Sequence, residues 1–152
     1  MRKIKEAIVV EGRYDKNTLS QVVDAVVFTM TEAIVRGEFD RAAAVLSDLL
    51  AAQEAPIMIL AVLGKHIRQL YSARIALETG KGSRWLMDLW GMRSTYPADK
   101  LLEAARHHDL AWCKRAMARC AETDLAMKSV AGADGKDLLL NLMLELAAGG
   151  KR

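Results

Sequence analysis

The residue types that could do chemistry are few in this chain and poorly spaced for it. His107, His108 and Asp109 stand side by side. Neighbouring positions on a helix point about 100° apart, and the H-E-x-x-H spacing of a helical zinc site is absent. A polar junction between helices accounts for them better. His66, close to Arg68, reads as part of a polar face. Cys113 and Cys120 would lie two helical turns apart, roughly 10 Å, too far for a disulfide. With no C-x-x-C pair in the chain they read as small core hydrophobes. Gly80-Lys81-Gly82-Ser83 has the look of the end of a phosphate loop, but the first glycine and the preceding strand are missing. No G-x-S-x-G elbow occurs. Most of the chain is therefore expected to be non-catalytic, with no cofactor and no metal.

Charge carries more information. Lys65, Arg68 and Arg74 fall along one predicted helix, and Lys114, Arg115, Arg119 and Lys128 along another. These rows are either a solvated basic face or a contact surface for a neighbouring protein. Nucleic acid is the weaker partner, because no aromatic residues interleave with the cations to stack on bases. Asp124 with Lys128 at i,i+4 and Arg119 with Glu122 at i,i+3 are opposite-charge pairs within one helix. Lys65, Arg68, Arg74, Asp124 and Lys128 are the candidate subunit-interface residues.

Helices must position these side chains. From Asn17 or Thr18, either able to cap, apolar residues Leu19, Val23, Val26, Met30 and Ala33 recur at helical spacing. No glycine or proline intervenes before Gly37, which predicts one helix over 18–36 with no break at 22–27. Further helices are expected over 39–52, 57–78, 85–90, 97–106, 109–129 and 136–147. The second carries Ala42, Val45, Leu46, Leu49 and Leu50 on one face, and the third Leu60, Leu63, Ile67 and Leu70. Pro56 suits a first helical turn. Trp112, Leu125, Leu63, Leu70 and Leu142 are expected in the core. The one convincing strand signal is 4–10, a β-branched run emptying into Glu11-Gly12-Arg13.

The 152 residues include 22 basic and 19 acidic ones, a net charge of +3, with 52% hydrophobic. That balance is too apolar for disorder and too even for a polyanion-coating protein. Only 5% of residues are aromatic and 2 are proline, which favours helices over a β-sandwich. The basic N-terminus lacks a long apolar stretch or cleavage site, and the longest apolar run, 56–63, is far below the ~20 residues that cross a bilayer. A reduced, cytoplasmic chain with no membrane contact is expected.

Two family resemblances emerge, in different parts of the chain. Val27-Phe28-Thr29-Met30-Thr31-Glu32-Ala33-Ile34, Gly37-Glu38-Phe39-Asp40-Arg41-Ala42, Leu63-Gly64-Lys65-His66-Ile67-Arg68-Gln69-Leu70-Tyr71 and Ala121-Glu122-Thr123-Asp124-Leu125-Ala126-Met127-Lys128-Ser129 follow one another in order. Over residues 27–145 the chain resembles the C-terminal collar domain of the DNA polymerase III delta subunit, a component of the bacterial clamp loader. The resemblance implies an all-α helical bundle that packs against other loader subunits, of delta prime and gamma/tau type, and meets DNA only indirectly. It also implies that the delta subunit's two upstream domains, with the clamp-binding element, are missing here.

Residues 4–24, with Ile4-Lys5-Glu6-Ala7-Ile8-Val9-Val10-Glu11-Gly12-Arg13-Tyr14-Asp15, resemble the opening of a Toprim domain, as in the nuclease that matures 5S ribosomal RNA. In that family the glutamate matching Glu11 is catalytic, beside an Asp-x-Asp pair that holds magnesium. No Asp-x-Asp occurs in this chain, and one carboxylate cannot assemble such a site. The expected organisation is a Toprim-like strand–turn–helix remnant (1–24), a delta-type collar (25–148) and a tail (149–152), hence a truncated or chimeric delta subunit. The alternative is a magnesium-dependent Toprim-type ribonuclease fragment, for which nuclease activity abolished by Glu11→Gln is the discriminator. A strand without partner strands is expected as a loosely docked arm, with weak homodimerisation through it as the minority outcome. Deleting residues 1–15 should then barely change thermal unfolding. A fall in Tm above about 8 °C, roughly 2 kcal/mol or more, would make that segment integral to the fold.

Overall fold

A computed structural model describes residues 16–129, 132 and 134–149. The expected strand over 4–10, and Glu11 with it, lies outside the described residues. Every regular element among those residues is an α-helix: α1 (Lys16–Val35), α2 (Phe39–Ala51), α3 (Pro56–Glu78), α4 (Ser83–Trp90), α5 (Thr95–Ala105), α6 (Leu110–Ser129) and α7 (Gly135–Gly149). Helix α1 passes through residues 22–27 unbroken, as its apolar stripe predicts. It stops at Gly37, whose φ of 75° is the left-handed conformation that closes a helix end. The Glu38 amide there reaches back to the Ala33 carbonyl.

The element boundaries differ from the predicted ones for identifiable reasons. Helix α5 begins two residues before Pro97, because a proline within the first turn gives up an N–H that no helical carbonyl would have accepted. Asp109 is not the first residue of α6 but its cap: its Oδ1 accepts the Trp112 amide at 2.8 Å. Asp134 does the same for Lys136 at the start of α7, at 2.9 Å. The turn that follows α2 passes through Gln53, with φ of 66° the one described non-glycine residue in the left-handed region.

Helix α3 is the axis of the bundle. It packs against α1, α4, α5, α6 and α7, while α2 lies on α1 and α7. Its stripe Ile59, Leu63, Ile67 and Leu70 is buried against Met30, Ile34, Leu101 and Leu139 in one continuous core. Leu63, Leu70, Trp112 and Leu142 are buried as expected, and Leu50 packs at the core's edge. Leu125 is not: it is 64% exposed. The inward face of α6 runs through Trp112, Ala116, Cys120 and Thr123, and at about 100° per residue Leu125 falls on the far side from Thr123. No helix among the described residues is long and apolar enough to cross a membrane.

Candidate interaction surface

The structure divides the five candidate residues between two settings. Lys65 and Arg74 are engaged inside the bundle. Lys65 Nζ donates to Asp24 Oδ1, joining α3 to α1. The same carboxylate oxygen accepts from His66 Nε2 at 2.9 Å. These contacts, the histidine hydrogen bond above all, hold the Asp24 carboxyl at about 2, well below its ordinary 3.8, against a desolvation that works the other way. An ionised carboxylate can only accept, so Nε2 carries its proton. The His66 ring is buried, with Nδ1 3.3 Å from Thr31 Oγ1 and the Phe28 ring edge-on at 5.2 Å. His66 is thus a core residue tying two helices, not part of a polar face. Arg74 Nε donates to Glu78 Oε2 at 2.8 Å, and Nη1 reaches the carbonyl of Ala105 at the end of α5.

Arg68, Asp124 and Lys128 meet elsewhere. Helices α3 and α6 run side by side and leave a surface groove of 390 Å³ between them. Leu60, Gly64 and Cys120 line its base, and Arg68 and Asp124 stand on opposite sides. Lys128 Nζ donates to Asp124 Oδ2 at 2.9 Å, the expected i,i+4 pair. Arg68 makes no ion pair with any described residue; its guanidinium lies over Gly64, where an added Cβ would come within 3.5 Å of Nη1. Arg119, by contrast, has a partner that sequence reasoning missed. Its Nε and Nη2 grip both oxygens of Glu145 on α7, at 2.8 and 2.9 Å, beside the expected contact to Glu122. That fork raises the Arg119 pKa and lowers that of Glu145.

The remaining chemical candidates are structural. His108 Nε2 donates to the carbonyl of Val35 at 2.8 Å and its ring stacks on Trp112 at 3.7 Å, so the histidine pair marks a polar helix junction. Burial pushes the His108 pKa down. No group of His, Cys, Asp or Glu among the described residues is arranged to hold a metal ion. Both cysteines are free and buried, and burial pushes their thiols up to about 11. At about pH 8 the thiolate is therefore scarce. Ellman's reagent should react with neither cysteine of the native chain on a timescale of minutes, and with both in denaturant; rapid native labelling would contradict this burial.

Comparison with known proteins places the bundle. One protein family, the C-terminal domain of the DNA polymerase III delta subunit, matches residues 24–145. The match gives no support to the Toprim resemblance of residues 4–24. No curated protein sequence matches the chain. Among solved structures, the Bacillus subtilis DNA clamp loader delta protein (YqeN) superposes with a TM-score of 0.76 at 21% identity. The superposition covers 83% of this chain and 37% of that one, so the chain spans little more than a third of that protein's length.

Proposed function

Because the chain belongs to the family formed by the C-terminal domain of the DNA polymerase III delta subunit, we propose that it works as a non-catalytic subunit-interaction domain of a bacterial clamp loader. Its partners on this reading are subunits of delta prime and gamma/tau type, and DNA is reached only through the assembly. The observation that carries the reading is the family match across 24–145. A bundle built of α-helices with an open two-helix face supports it. Residues 25–148 form the working unit. Arg68, Asp124 and Lys128 are the interface candidates left on the surface by the packing. Lys65 and Arg74 contribute by holding α1 and α5 against α3.

A tagged chain mixed with the cognate loader subunits tests this. Retention in the loader complex through gel filtration is the expected result. A chain that elutes alone, in the presence of folded partner proteins, would overturn it.

A further inference from the structure

We propose that the groove between α3 and α6 seats an amphipathic helix of a partner protein that presents a carboxylate to Arg68. The proposal rests on the loader reading above and adds the surface and the partner's chemistry. The groove is shaped for a helix. Ala61 and Ala121 keep its walls low above Gly64, and backbones approach most closely where facing side chains are small. One turn beyond Ala121 on the same helix stands Leu125, an apolar side chain that the bundle leaves open to solvent. Helix-in-groove recognition needs this combination of a shallow apolar channel and one or two anchors at its edge.

Charge selects the occupant. Across the groove from Arg68 stand Ala121 and Asp124 of α6. Arg68 has no carboxylate partner among the described residues, while the one acid lining the groove, Asp124, is taken by Lys128. An arginine held over Gly64 presents a planar fork of donors that a carboxylate can meet with two parallel bonds. The charge left unmet in the seat is therefore that of Arg68, above an apolar floor, and its complement is a helix with an apolar stripe and a carboxylate beside it.

The test uses the full chain with the loader subunits. Arg68→Glu and Leu125→Asp should each weaken complex formation by about tenfold or more. Arg68→Lys should fall between them and the wild type, and Lys81→Glu, on the turn before α4, should bind as the wild type does. Both Arg68 and Leu125 are open to solvent, so thermal melts should stay within a few degrees of wild type and separate lost binding from lost folding. A photo-crosslinker placed at Leu125 should capture an acidic helical peptide of a loader protein. Wild-type binding with unchanged binding by Arg68→Glu and Leu125→Asp would sink the surface and leave the loader reading standing. Crosslinking to this same chain would do likewise. A wild type that binds no loader protein would overturn both.

Discussion

Leu70→Ala is expected to cost about 2–5 kcal/mol of unfolding free energy, the largest loss among single truncations considered for this chain. Leu70 is 1% exposed and sits midway along α3, on the stripe shared with Leu63 and Ile67. Removing its isobutyl group loses the transfer free energy of the buried carbons and leaves a cavity. That cavity cannot collapse freely, because α3 is held by five neighbours at once. Guanidinium unfolding followed by circular dichroism measures the loss. A value below about 1 kcal/mol would mean that the inward face of α3 is misassigned.

Asp24→Ala is expected to cost about 1–3 kcal/mol at neutral pH, because the His66 Nε2–H, buried with its ring, loses its acceptor. The Asp24 side chain is 42% exposed, and solvent screening places the effect in the lower half of that range. The pH dependence follows from the direction of the shift. A carboxyl whose folded pKa is lowered from 3.8 to about 2 stabilises the fold fully above the upper value and loses that contribution as pH falls through the lower one. Stability curves of the wild type and Asp24→Ala should therefore run parallel above about pH 5 and converge toward pH 2. Parallel curves across the whole range would show that the carboxylate is not ionised against His66.

Much of the architecture is legible in sequence because the punctuation is strong. Gly37, Pro56, the Gly80–Gly82 pair and Gly91 each fall at a helix boundary, and period-3.6 stripes connect them. The departures have a common origin in side chains whose surroundings are set by distant residues. His66 pairs with Asp24, 42 positions away, and no local pattern announces such a partner. A signal is nonetheless present: Ile59, Leu63, His66 and Leu70 are spaced by four, three and four, which puts the histidine on the core stripe. Leu125 departs in the opposite sense. Its apolar character suggests burial, while the spacing of Trp112, Ala116, Cys120 and Thr123 turns it outward. The Arg119–Glu145 fork spans two helices and is equally silent in sequence. The groove is legible only in part, since charge marks Arg68, Asp124 and Lys128 but their convergence depends on how α3 lies against α6.

The position of α3 bears on the thermodynamics of association. Locally opening segments of a protein are those with few buried contacts, and they lose conformational entropy when a ligand orders them. Helix α3 is the opposite case, clamped on most of its circumference and exposing one strip to solvent. The strip carrying Ala61 and Arg68 therefore arrives already in its bound shape. A partner docking there meets little entropic penalty for ordering the receptor, so the free energy of contact goes almost wholly into affinity. Preorganisation of this kind lets a surface of modest area hold another protein in place.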